Sequence, residues 1–74
     1  MSYKPGDLVT ISSRALREIA VWNDDLSDGV DFISLKEVAI VVQKPEAEYG
    51  WVRIITPRGI IGTVHSTNIK VCVN

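Results

Sequence analysis

"WVRIITPRGIIGTVH", Trp51 to His65, decides how this chain is read. Two apolar runs flank Thr56-Pro-Arg-Gly59. Proline presets φ for the second position of a type I turn, and Gly59 suits the position that follows, so the quartet predicts a tight hairpin. On the first arm Val52 and Ile54 share one face, while Trp51, Arg53 and Ile55 share the other. Tyr49 to Thr56 is therefore expected as a strand and Ile60 to His65 as its return. If the valine-isoleucine pair points inward, the indole of Trp51 points out, at a strand end beside two loops.

The same alternation extends outward from that hairpin. Asp7 to Ser12 follows the Pro5-Gly6 turn signal and reads as a strand with Val9 and Ile11 on one face and Leu8, Thr10 and Ser12 on the other. Lys36 to Gln43 is rich in β-branched residues and too short for a core helix, which predicts another strand, and Lys44 to Glu48 turns the chain. Ser66-Thr-Asn68 breaks the pattern before Ile69 to Val73, a closing strand with Ile69, Val71 and Val73 inward. Ser13 to Phe32 shows no clean period of two. Leu16, Ile19 and Ala20 fit one or two helical turns and Asn23 to Gly29 is loop chemistry, so this segment is expected as a long excursion packed by its own Trp22, Leu26 and Phe32. Five short strands in so small a chain imply an all-β, closed or nearly closed barrel, because closure removes exposed strand edges.

Composition narrows the class. Seventy-four residues make one domain, spanning residues 1–74, near the size at which a single core barely suffices. The one cysteine, Cys72, rules out an intrachain disulfide staple and points to a reducing, cytoplasmic setting. The opening MSYKPGDL has a charge, a proline and a glycine where a signal peptide needs an apolar run, and nowhere do 18 apolar residues follow one another, so a soluble, membrane-free chain is expected. Net charge is −1, yet residues 1–17 sum to +2, 18–48 to −6 and 49–74 to +3. An acidic middle argues against reliance on phosphate contacts, and nucleic acid is an unlikely partner.

The order of parts resembles a Src-homology-3-like barrel. "FISLKEVAIVV", Phe32 to Val42, resembles the passage from that family's long loop into its second strand. "GWVRIITPRGIIGTVHSTNIKV", Gly50 to Val71, resembles its tryptophan strand, distal hairpin, glycine-led fourth strand, single turn of 3₁₀ helix and closing strand. On this match Gly62, Val64 and Ile69 take the fourth-strand glycine and two core positions, and Trp51 takes the place of the peptide-binding tryptophan. The opening "YKPGDLVTI" is closer to small bacterial and phage barrels than to signalling ones. His65 stands where the family has its binding-site proline and Asn68 where it has a tyrosine. The alanine-leucine-tyrosine-aspartate-tyrosine motif is absent, so the stacked-ring groove for proline-rich peptides is not carried over.

The resemblance implies a non-enzymatic protein-interaction module of phage or bacterial accessory type, binding a basic or extended peptide or protein surface. Trp51 is its expected anchor, since tryptophan is enriched at contact hot spots, with Tyr49, His65 and Asn68 beside it. Asp24, Asp25, Asp28 and Asp31, with Glu46 and Glu48, would surround it with negative charge that favours a basic partner. The alternative is that Leu26 or Phe32 from the long loop roofs the indole. Two other partner classes stay open: a structural place in a larger, oligomeric complex, and weak nucleic-acid binding through Arg53, Arg58 and Lys70. No catalytic constellation, metal set or cofactor fingerprint is expected. Zinc needs more ligands than one histidine and one cysteine supply, and an EF-hand alignment on Gly29 puts Leu26 and Leu35 at ligand positions.

Overall fold

The computed structural model describes residues 3–12, 17–43 and 50–72. Seven strands run in chain order: β1 Leu8–Ile11, β2 Glu18–Trp22, β3 Gly29–Ser34, β4 Ala39–Gln43, β5 Trp51–Ile55, β6 Ile61–His65 and β7 Ile69–Val71, with one 3₁₀ turn at Ser66–Asn68. They form one antiparallel sheet in the order β3-β2-β6-β5-β4-β1-β7. Laid flat, seven strands would make a slab roughly 29 Å wide and about 10 Å thick. The molecule instead measures 30 × 23 × 22 Å, so the sheet curls around its own apolar face. β1 and β3, near opposite ends of the strand order, touch across the interior.

Every strand contributes to one core. Val9, Ile11, Ile19, Val21, Ile33, Ala39, Val41, Val52, Ile54, Val64 and Ile69 are all buried. They alternate with outward residues along each strand, the period of two that a pleated ribbon imposes. Tyr3 closes one end. Its buried phenol donates a hydrogen shared between the carbonyls of Ser66 at 3.0 Å and Ile69 at 2.9 Å, and burial pushes its pKa above the usual value.

Two expectations are corrected. Within Ser13 to Phe32 the structure places a β-hairpin, β2 with β3, where a loop with helical turns was expected; residues 13–16 lie outside the described set. Ile19 and Val21 do alternate into the core, facing a partner strand that buries Ile33, but a register shift between Val21 and Trp22 breaks the period just where it would be recognised. Among the described residues the count is thus seven strands rather than five. Of the closed or nearly closed barrel that was expected, full closure is not present among the described residues, where β3 and β7 are the two edges of the sheet. The expectations for inward Val73 and for the turn at 44–48 lie outside the described residues.

The distal hairpin matches its sequence signature. Gly59 N donates to Thr56 O at 2.9 Å, Thr56 N donates to Ile60 O at 2.9 Å, and Gly59 has φ of +84°. This is a type I turn followed by a left-handed residue, a three-residue hairpin loop that tolerates glycine far better than any L side chain.

Gly62 marks where the β2–β3 hairpin lies on β6. A Cβ there would sit 2.5 Å from Val21 Cγ1 and 2.7 Å from Trp22 O. The second atom is backbone and cannot step aside without moving β2. Gly62→Ala is therefore expected to destabilise the fold by at least ~2 kcal/mol, measured by chemical denaturation. A loss within error of zero would mean that β2 does not approach β6 this closely.

Candidate functional site on the outer face around Trp51

The β5–β6 ladder pairs Trp51 with His65, Arg53 with Thr63 and Ile55 with Ile61, while Val52 and Ile54 are fully buried on the opposite face. Trp51 thus lies outward, half-buried, in a T-shaped contact with the His65 ring: centroids 5.0 Å apart, planes at 84°. That T-shaped geometry sets positive ring edge against negative ring face. His65 is itself fixed, because its Nδ1 accepts from Thr67 N at 3.3 Å and lies 2.8 Å from Thr67 Oγ1, capping the 3₁₀ turn.

Gly50, just before the indole, has φ of +69°, and its carbonyl accepts from Ser66 N at 2.8 Å. A Cβ on it would stand 3.2 Å from Ser66 Oγ and 3.4 Å from His65 Nε2. Glycine here lets the strand enter close beneath the imidazole. Arg53 follows Trp51 on the same face and donates to Asp24 at 2.9 Å. Beyond it Thr63 pairs with Trp22, bringing the second indole's strand beside the same surface.

The four aspartates are not equivalent. Asp24 is exposed and meets Arg53, the next outward residue after Trp51 on β5, so its carboxylate comes with a matched cation. Asp25 accepts from Ser27 N and from Ser27 Oγ, the latter at 2.6 Å, and these bonds hold its carboxyl below the usual range. Asn23 completes the loop by accepting from the Ser27 and Asp28 amides. Asp28 is exposed. Asp31 points inward from β3, its side chain only 6% exposed, and binds Arg58 at 2.8 Å.

Arg58 is the centre of a separate cluster at the far end of the molecule. Projecting from the distal turn, it donates to Asp31, to Glu37 at 2.6 Å and to the Phe32 carbonyl, and stacks over the Phe32 ring at 4.4 Å. Phe32 is thereby held at the distal end beneath Arg58, Leu26 is partly exposed, and the aromatic neighbour of Trp51 is His65. Arg53 and Arg58 both face carboxylates, and Lys70 lies exposed on β7, across β1 and β4 from β5, so the three cations do not form one patch. Asn68 is half-buried and its carbonyl accepts from Ser12 N at 2.9 Å. Tyr49, Glu46 and Glu48 lie outside the described residues.

Among the described residues no group of three or more histidine, cysteine, aspartate or glutamate side chains could hold a metal ion. Among the described residues no helix is long and apolar enough to cross a membrane. No protein-family model, no curated protein and no solved structure matches the chain.

Glu37 reports on the distal cluster. Hydrogen bonds from Arg58 and then from Ser34 lower its pKa from an ordinary 4.5 to about 2. Asp31 moves the same way, first through the Thr56 hydroxyl and with Arg58 adding to it. A carboxylate whose pKa is lower in the folded state stabilises the fold above its unfolded pKa and loses that contribution as pH falls toward the folded one. The thermal midpoint is therefore expected to drop between pH 4.5 and about 2, and Glu37→Gln to flatten that drop. An unchanged acid slope in the variant would place the titration elsewhere.

Proposed function

We propose that this protein is a non-enzymatic interaction module on a small Src-homology-3-like barrel, with Trp51 as the anchor for an extended or basic segment of a partner protein. The observation that carries this reading is the outward indole set against His65, beside Asp24 and Arg53. A rigid aromatic platform contributes large contact area at little conformational cost. The carboxylate of Asp24, already aligned by Arg53, offers a partner cation an exchange of ion pairs, and the acidic hairpin loop favours encounter with basic chains. Arg53 and Arg58, which would suit nucleic acid, are instead engaged with carboxylates on this chain.

Heteronuclear NMR titration with a series of extended, lysine- and arginine-containing peptides tests this. Saturable shifts are expected at the Trp51 indole N–H, His65 and Asp24. Trp51→Ala should weaken binding at least about tenfold while leaving the spectrum folded. Absence of shifts, or binding indifferent to Trp51→Ala, would remove the surface from consideration.

A further inference from the structure

The edge strand of an open sheet presents a row of backbone N–H and C=O groups on which another extended chain can pair. Here the edges are β3 and β7. Beside β3, Leu35 N donates to Arg17 O at 2.9 Å, and the same register continues through Ser34–Glu18, Ile33–Ile19 and Phe32–Ala20. Hydrogen-bonded pairs alternate along an antiparallel ladder, so Ile33 bonds toward β2 while Phe32 and Ser34 turn their backbone groups to the open side.

Those groups are already met, though by no strand. Ser34 N donates to Glu37 Oε1 at 3.0 Å, Ser34 O accepts from Glu37 N at 2.9 Å, and Phe32 O accepts from Arg58 Nη2. Arg58 Nη1 in turn donates to Glu37 Oε2 at 2.6 Å, which joins the two side chains into one cover. The other edge is treated differently. The Ser12–Asn68 and Leu8–Cys72 bonds put Ile69 of β7 on the open side, where Ile69 O accepts from the buried Tyr3 phenol and Ile69 N donates to Ser66 O. That cover is part of the core. The one on β3 lies at the surface: the Arg58 and Glu37 side chains are 38% and 24% exposed, so they can lift without unpacking the interior.

We infer that Arg58 and Glu37 form an autoinhibitory contact on β3, standing in for a further strand and keeping this edge from taking up an extended chain. A strand is the occupant the edge selects, because the groups concealed are backbone donors and acceptors at the spacing of a β-ladder. In a solution of the protein alone, the strand on offer is β3 of a second copy. Two uncovered β3 edges meet antiparallel about a two-fold axis at Ile33, Phe32 of each copy exchanging both bonds with Ser34 of the other, which is a self-complementary contact. β2 and β6 separate β3 from β5, so this contact is distinct from the Trp51 surface and does not depend on it.

Two measurements test this. In the wild-type protein the Ser34 amide, although it faces the open side, should exchange with deuterated solvent at least about tenfold more slowly than an unstructured amide. Exchange at the unstructured rate would mean that Glu37 does not cover it, and overturns the inference. Sedimentation velocity then compares wild type with Arg58→Ala, Asp31→Asn/Arg58→Ala and Arg53→Ala. The double variant removes the cover without leaving the nearly buried Asp31 carboxylate short of its cation. Wild type and Arg53→Ala are expected to stay monomeric, while both Arg58 variants approach twice the 8.2 kDa mass at concentrations at least about tenfold below any at which wild type associates. In mixtures of isotope-labelled and unlabelled variant, intermolecular contacts should join Phe32 of one copy to Ser34 of the other. Folded Arg58 variants that remain monomeric, or that associate through residues outside β3, overturn the inference.

Discussion

The register of β5 against β6 is the constraint on which the rest depends. Side chains alternate strictly along a strand, so one residue of slip of β5 against β6 would turn Val52 and Ile54 out of the core that Val64 occupies and bring Trp51, Arg53 and Ile55 into it. The turn sets that register. Thr56 is bonded to both Gly59 and Ile60, and Ser66 N bonds to Gly50 O at the other end, so the ladder is held at both termini. By this pattern Trp51–His65, Arg53–Thr63 and Ile55–Ile61 are the non-hydrogen-bonded pairs, whose side chains stand closer together. All three are outward. The indole-imidazole contact, the threonine beside Arg53 and the aliphatic pair are therefore consequences of one pairing.

The rest of the molecule is anchored to this ladder from two sides. At Gly62 the absence of a side chain lets Val21 and Trp22 O come close enough for the β2–β3 hairpin to pair with β6. At the distal turn Thr56, nearly buried, accepts from Ile60 N through its hydroxyl and stabilises the Asp31 carboxylate, while Arg58 bridges Asp31 and Glu37. Glu37 in turn accepts from Ser34 N and Oγ, so β3 and the start of β4 are tied to the same hairpin. A partly exposed ion pair contributes little net stability, but it disfavours arrangements that leave the Asp31 carboxylate, whose side chain is only 6% exposed, without a partner. The cluster thus specifies where β3 lies more than it strengthens the fold.

What could be read in the sequence follows from how local each signal is. The parity of Val52 and Ile54, the Pro57-Gly59 turn, the break at Ser66–Asn68 and the glycine at position 62 each rest on a few neighbouring residues or on a resemblance that spans them. The β2–β3 hairpin was hidden because its irregular pairing at Val21 and Trp22 interrupts the alternation, and because Ile19 and Ala20 also fit a helical turn. The roles of Arg53 and Arg58 were hidden because their carboxylate partners lie more than twenty residues away in the chain. The cover on β3 was hidden for the same reason. Arg58 stands 26 residues beyond Phe32, and folding alone brings its guanidinium to that edge.

The most direct test of the β5–β6 pairing is a NOESY spectrum of the labelled protein. Opposed residues in non-hydrogen-bonded antiparallel pairs bring their α-protons into close contact. Strong Hα–Hα cross-peaks are predicted for Trp51–His65, Arg53–Thr63 and Ile55–Ile61. Cross-peaks displaced by one residue, such as Val52–His65 and Ile54–Thr63, would contradict the account, because Trp51, Arg53 and Ile55 would then no longer share a face with His65, Thr63 and Ile61.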